Sequence, residues 1–220
     1  MIGPLVVAGV VIDRQEEKKF VQLGVKDSKQ LSPKKREELA PKIEELCSSV
    51  IVMRVPACKI DTYRKRKVNL DHIEAIKMAE IIDIAQAETF YIDSLGTNPK
   101  RFQNMILEYA RNKDQGMVVE NYADETYPVV SAASIIAKVE RDKAIQEIKE
   151  KVNYDFGVGY SHDARTIKFV EMLLRKKEPL PPFVRQSWIT TQVLKENSLQ
   201  QKVKDFFKKK EDCKEETNEN

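Results

Sequence analysis

Short apolar runs alternate with longer segments of helical periodicity along this chain. Residues 5–12 form a continuous apolar run rich in β-branched residues, typical of a strand buried on both faces, and residues 50–55 predict a second, shorter strand. Two further apolar runs end at Asp93 and Asp124, and a helical stretch separates them. Strand, helix and strand in this order predict a right-handed crossover with two parallel strands, so we expect an α/β fold.

Capping residues predict where several helices begin. Ser32-Pro33 and Asn98-Pro99 each combine a side chain that caps a helix with a proline suited to its first turn. Asp71 and Glu74 have the spacing of a capping box, which predicts a helix that continues to about Ala87.

The C-terminal part of the chain is predicted to be helical. A long helix is expected over residues 129–151, a shorter one after Asp163, and a last one near Ser187-Trp188. Residues 197–220 are polar and charged with almost no apolar periodicity, which predicts a disordered tail. We therefore predict one domain, residues 1–196, followed by that tail.

Composition says little about what the protein binds. Lys and Arg number 38 against 35 Asp and Glu, a near balance that does not by itself indicate nucleic acid. The basic clusters at residues 34–36, 64–67 and 208–210, each taken alone, are more simply solvated faces. Three cysteines, without metal-binding spacing, favour a reducing compartment. No apolar run could span a membrane, and the N-terminus lacks the features of a signal peptide, so we expect a cytoplasmic protein.

Asp93 and Asp124 are the strongest candidates for chemistry. Each ends an apolar run, and the carboxyl ends of parallel strands meet at the edge where α/β sheets usually bind ligands. Two carboxylates there suit a hard divalent cation. In the alternative interpretation, Asp93 is a turn residue and Asp124 caps a helix, and spacing alone leaves the two equally open. No glycine-rich phosphate loop follows a strand, which argues against a nucleotide-binding module.

Five segments have a more specific order of residues. They are IGPLVVAG at 2–9, VKDSKQL at 25–31, YIDS at 91–94, ADETYPVVSAASIIAKVERD at 123–142 and GVGY at 157–160. Through these segments the chain resembles the ribonuclease HII family, the type 2 ribonucleases H, in its archaeal form. The resemblance runs from residue 1 to about residue 194, and the block at 123–142 is its most specific part.

The resemblance implies a fold, an activity and a site. The fold would be a ribonuclease H-like mixed sheet flanked by helices, with a helical C-terminal extension. The activity would be cleavage of RNA in RNA–DNA hybrids, and 5′ of ribonucleotides embedded in duplex DNA, with Mg²⁺ or Mn²⁺. Asp93 and Asp124 match two of the family's four catalytic acids. Lys29 matches a lysine that contacts phosphate, and Tyr160 matches a tyrosine that packs on a sugar; otherwise Lys29 is simply a solvated residue and Tyr160 a loop aromatic that covers the core.

The chain departs from the family pattern at its first strand. The family's other two acids lie in the pattern D-E-A-G-R-G, just before the segment that matches Ile2-Gly3-Pro4, and this sequence begins at Met1. We therefore expect the first central strand to be missing, a gap between residues 5–12 and the strand that ends at Asp93, and impaired activity. We also expect a true start about 12–16 residues upstream. The alternative is a remnant that binds hybrids without cutting them; in either case we expect a monomer.

Overall fold

The strands form two separate pairs. The structure, a computed structural model, describes residues 1–176 and 178–200. Strand β1, Leu5–Val11, pairs antiparallel with β2, Ser49–Val55. Strand β3, Thr89–Asp93, pairs parallel with β4, Gly116–Glu120, which confirms the predicted crossover.

Helices make up most of the rest of the described chain. These helices are α1 Lys18–Gln22, α2 Pro33–Leu46, α3 Ala57–Lys65, α4 Leu70–Ile84, α5 Pro99–Tyr109, α6 Ala123–Thr126, α7 Pro128–Val152 and α8 Ala164–Arg175. Residues 28–30 form a 3₁₀ turn, and residues 189–200 are helical. The architecture is thus mixed α/β, with helices that flank short sheets, as predicted.

Most predicted helix starts are confirmed, and one is wrong. Side chains of Ser32, Asn98 and Asp163 accept backbone hydrogen bonds at the first turns of α2, α5 and α8. The capping box at Asp71 does not form. Helix α4 begins two residues earlier than a cap at Asp71 would place it, because the side chain of Asn69 caps it, and this places Asp71 inside the first turn.

Helix α7 organises the core. Its residues Ala132, Ile135, Ile136 and Val139 are buried with residues of α1 and α2. Its small side chains also allow a close approach to β1, which packs directly against it. Towards its end, Ile145 joins a second buried cluster with the C-terminal part of the chain. One helix therefore contacts both the sheet that carries β1 and the C-terminal helices.

A gap lies between β1 and β3. Each strand is hydrogen-bonded to a strand on one side only within the described residues, and both line a cavity of about 270 Å³ closed by α4 and α7. The predicted gap beside residues 5–12 is thus confirmed. Glu74 on α4 lines the cavity, and its burial and the nearby charge of Asp71 raise its pKa to about 7, against the opposing effect of Arg185.

The structure describes only part of the C-terminal end of the chain. Residues 197–200 continue the helix that starts at 189, and the predicted tail beyond them, residues 201–220, lies outside the described residues. The division at residue 196 therefore stays a prediction. In the ranges that the structure describes, no helix is both long enough and apolar enough to cross a membrane.

Candidate active site

The crossover from β3 to β4 brings Asp93 and Asp124 to one place. Asp93 is the last residue of β3 and lies opposite Glu120 in the parallel register. The backbone turns at Tyr122, which has φ 59° and ψ 33°, and the N–H of Ala123 then donates to Asp93 Oδ1 at 3.1 Å. Asp124 follows directly. The expectation that a strand would run to Asp124 is wrong, because this turn ends β4 at Glu120 and starts α6.

Asp124 is a buried carboxylate with one oxygen paired and one unpaired. Only 3% of the residue is exposed. Its Oδ2 lies 3.3 Å from Lys29 Nζ, whereas no hydrogen-bond partner for its Oδ1 is found in the described part of the chain. A buried polar atom without a partner loses its hydration with no compensation, so this oxygen is a strong candidate ligand for a cation.

The charges around these carboxylates affect one another. Burial and the charge of Asp124 raise the pKa of Asp93, while the backbone N–H groups of Ala123 and Tyr122 and the charge of Lys29 act against that rise. Partial burial lowers the pKa of Lys29, but its hydrogen bond to Asp124 and the surrounding carboxylates outweigh this and raise it. The site therefore holds excess negative charge that Lys29 offsets only in part.

The turn that carries Lys29 is held by residues that the sequence analysis missed. Arg36 donates to the carbonyl oxygens of Ser28 and Leu31 at 3.2 and 2.7 Å, and Lys138 Nζ donates to Ser28 Oγ at 2.5 Å. Arg36 belongs to the 34–36 cluster that we interpreted as a solvated face, and that interpretation is wrong for this residue, whose side chain is 13% exposed. The sequence did offer a sign that Lys138 is functional, since it is the first charged residue of α7.

Tyr160 lies in the loop after α7 and contacts the middle of that helix through Arg141. The Arg141 guanidinium lies 3.7 Å from the centre of the Tyr160 ring, and the ring stacks on His162 with centroids 5.4 Å apart. At the start of α7, the Ser131 hydroxyl donates to the backbone carbonyl of Asp124. Ser131 and Arg141 are ten residues apart, or about 15 Å along the helix axis. The structure thus brings Asp93, Asp124 and Lys29 together and places Tyr160 at a distance from them.

A groove of about 910 Å³ lies between Tyr160 and the residues that hold the Lys29 turn. Arg36 and Lys138, which hold the Lys29 turn, line it together with Lys149, Tyr160 and His162. Burial, and then the charges of Arg36 and Lys29, lower the pKa of Lys138. Four Lys or Arg and four Asp or Glu side chains line the groove, so its charge is balanced, and the Tyr160 ring is the feature of it that suits a nucleic acid.

The comparisons with known proteins agree with this geometry. The family model described as Ribonuclease HII matches residues 1–191. The chain belongs to the ribonuclease HII family. It is 40% identical over 190 residues to the ribonuclease HII of Cenarchaeum symbiosum, and the matched region covers 86% of this chain and 89% of that protein.

Solved structures of ribonuclease HII relatives share the fold. The ribonuclease H2 of Pyrococcus horikoshii OT3 matches with a TM-score of 0.81 and 36% identity, over 90% of this chain and 92% of that one. The structure of the PCNA:RNase HII complex from Archaeoglobus fulgidus matches with a TM-score of 0.78 and 40% identity, over 88% and 90%. The expected ribonuclease H-like architecture is therefore confirmed.

The number of carboxylates at the site is smaller than the family resemblance implies. Asp93 and Asp124 are close, but no group of three or more His, Cys, Asp or Glu side chains in the described ranges is arranged to hold a metal. The roles of Asp93, Asp124, Lys29 and Tyr160 remain predictions that the geometry makes specific.

Proposed function

We propose that this chain acts on RNA–DNA hybrids and on duplex DNA with embedded ribonucleotides, hydrolysing the phosphodiester bond at the Asp93–Asp124 site. The observation that carries the proposal is the unpaired, buried Oδ1 of Asp124 beside a second carboxylate. Family membership supports the choice of reaction, and the exposed ammonium of Lys29 beside Asp124, with Tyr160 in a neighbouring groove, supports a nucleic acid substrate.

The donor set fits Mg²⁺ or Mn²⁺. Both ions accept carboxylate oxygen ligands, and Asp93 and Asp124 would hold one such ion between them. A divalent cation held by these two carboxylates would lower the pKa of a bound water and neutralise charge on a phosphate. Two carboxylates balance one divalent cation, so a second ion, as a two-metal reaction requires, would be held weakly by these residues alone.

The remaining side chains bind and orient the substrate in this proposal. Lys29, whose side chain is 61% exposed, contacts a phosphate next to the site, which fixes the register of the duplex without recognising its sequence. Tyr160 packs on a sugar, and Arg141 holds the ring in place from its other face. Arg36 and Lys138 keep the Lys29 turn against Asp124.

A second candidate function is binding without cleavage. The observation that favours it is the pair of carboxylates where the family resemblance implies four. In that case Lys29, Tyr160 and the groove still bind the hybrid, and the bond stays intact because the second cation is not held.

Incision of a single ribonucleotide in duplex DNA tests the proposal and separates the candidates. We expect slow 5′ incision by the purified chain with Mn²⁺ or Mg²⁺, because two carboxylates hold the second cation weakly, and we expect no incision by Asp93→Asn or Asp124→Asn. Asp114→Asn, an exposed carboxylate in a loop, is the matched control and should cut normally. Binding of hybrid without any incision would support the second candidate, and no binding at all would refute both.

We also propose that the chain binds a protein of the PCNA type. The Archaeoglobus fulgidus relative was solved in complex with PCNA. In residues 201–220 the large apolar side chains are Val203, Phe206 and Phe207, a spacing with which peptides present anchors to an apolar groove. Deletion of 201–220 should abolish co-elution with PCNA and leave incision of the ribonucleotide unchanged; retained co-elution would refute the assignment. The monomeric state and the cytoplasmic location stay predictions.

A further inference from the structure

Tyr122 combines an unfavourable backbone conformation with an exposed ring. It lies between β4 and α6 with φ 59°, and 66% of the residue is exposed. Two other non-glycine residues in the described ranges have positive φ, Lys67 and Asn153. Those two follow the ends of α3 and α7, where a left-handed residue commonly ends a helix. Tyr122 instead precedes a helix, so that explanation does not apply to it.

The contacts of the Tyr122 backbone explain its conformation, but they do not explain why the side chain is a tyrosine. The left-handed turn directs the N–H groups of Tyr122 and Ala123 to the carboxylate of Asp93. Glycine or asparagine adopts this conformation at less cost than tyrosine, so the turn itself does not require an aromatic residue. Since the ring is exposed, packing in the core does not require it either. A strained residue beside a candidate active site calls for a functional explanation.

The position of the ring supplies that explanation. Tyr122 directly follows Asn121 at the end of β4 and is two residues from Asp124, so its ring stands at the edge where Asp93 and Asp124 meet. Nucleic acid that reaches these carboxylates must pass this edge. In a duplex the bases are stacked inside, whereas the sugars are accessible from the shallow groove, where the C–H groups of a sugar ring can pack on an aromatic side chain.

We propose that Tyr122 is a substrate-binding residue whose ring packs against a sugar of the duplex next to the scissile phosphate. This inference rests on the proposed function, and it adds a second aromatic contact beside the carboxylates to the one at Tyr160. Replacement of the ring should weaken binding of the hybrid about five- to tenfold, the lower part of the range for aromatic contacts to nucleic acid. The phenolic hydroxyl should contribute little, because packing uses the face of the ring.

Two substitutions separate the ring from the backbone. Tyr122→Asn removes the ring and retains a residue that tolerates the left-handed conformation, whereas Tyr122→Phe retains the ring. The matched control is Tyr109→Asn, which removes an exposed tyrosine at the end of α5. Affinity for an RNA–DNA hybrid is measured in EDTA, where no cleavage occurs, and thermal unfolding is measured on the same samples.

We expect Tyr122→Asn to bind about five- to tenfold more weakly with an unchanged or higher unfolding temperature, and Tyr122→Phe and Tyr109→Asn to bind normally. Normal binding by Tyr122→Asn would overturn the inference and leave the proposed function in place. Equal losses in Tyr122→Asn and Tyr122→Phe would also overturn it, since the ring would then not be the contact. Failure of the unaltered chain to bind any hybrid would instead overturn the proposed function itself, and this inference with it.

Discussion

Replacement of Lys29 by methionine tests the electrostatics of the site most directly. The change removes the ammonium 3.3 Å from Asp124 Oδ2 and leaves a carboxylate that is 3% exposed without that partner. Breaking a fully buried ion pair costs about 3–5 kcal/mol, and breaking an exposed one about 0–1 kcal/mol. Because the Lys29 side chain is 61% exposed, we expect an intermediate cost of about 1–2 kcal/mol in the metal-free protein. For a domain of this size the unfolding temperature would fall by about 2–8 °C.

The same change should make the protein respond more strongly to a metal. A divalent cation on Asp93 and Asp124 supplies the positive charge that Lys29→Met removes, and it no longer competes with an ammonium. Binding at a concentration a hundredfold above Kd stabilises a protein by about 2.7 kcal/mol. Mn²⁺ should therefore raise the unfolding temperature of Lys29→Met by more than that of the unaltered chain, so that the two converge.

The assay is thermal unfolding in EDTA and over a titration of Mn²⁺, with Lys26→Met as the control, an exposed lysine three residues away. Lys26→Met should behave like the unaltered chain in both conditions. The reasoning is refuted if Lys29→Met is as stable as the unaltered chain in EDTA. It is also refuted if Mn²⁺ stabilises both proteins equally, because the cation would then bind elsewhere.

Three further predictions concern other parts of the molecule. The pKa of Glu74, about 7, lies above its unfolded value of 4.5, so folding stability should fall as pH rises from about 4.5 to about 7. Glu74→Gln should avoid this loss, so it should be more stable than the unaltered chain by about 3 kcal/mol at pH 8 but not at pH 4.5. Equal urea unfolding curves of the two proteins at both pH values would contradict this prediction. Lys138→Met should slow incision about ten- to a hundredfold with little loss of stability, because the turn that carries Lys29 loosens; an unchanged rate would exclude this role. A chain extended by a strand with the D-E-A-G-R-G pattern should incise faster than the 220-residue chain, and equal rates would mean that Asp93 and Asp124 suffice.

Local patterns predicted the elements that local interactions decide. The caps at Ser32, Asn98 and Asp163 form as expected, since a side chain and the backbone two or three residues later determine them. Helices α1 and α3 were missed. Helix α1 is a single short turn, and α3 is rich in charged residues with a weak apolar stripe, so neither has the periodicity that identifies a helix.

The site was predictable in its carboxylates and not in its surroundings. Asp93 follows from the end of β3, whereas Asp124 lies four residues beyond the end of β4, and the crossover together with the turn at Tyr122 brings the two close. The turn at Tyr122 was not predictable, because tyrosine disfavours the left-handed conformation that the fold imposes there. Nor was the contact of Lys138 to Ser28, since these residues are 110 positions apart and meet only when α7 packs against the rest of the fold. Arg36 and Ser28 are eight positions apart, and the conformation of the 28–30 turn, which the sequence did not predict, sets their contact.

Helix α7 fixes the distance between two parts of the proposed active site. Its first turns hold the backbone of Asp124 through Ser131, and ten residues later Arg141 holds the ring of Tyr160. A continuous helix changes its length very little, so the separation of about 15 Å between these points is set by the count of residues and not by loop conformation. At about 3.4 Å per nucleotide of a strand, that span corresponds to roughly four nucleotides. Insertions in the loops that flank α7 would leave this separation intact, whereas one residue added between Ser131 and Arg141 would rotate Arg141 by about 100° about the helix axis and break its contact with Tyr160.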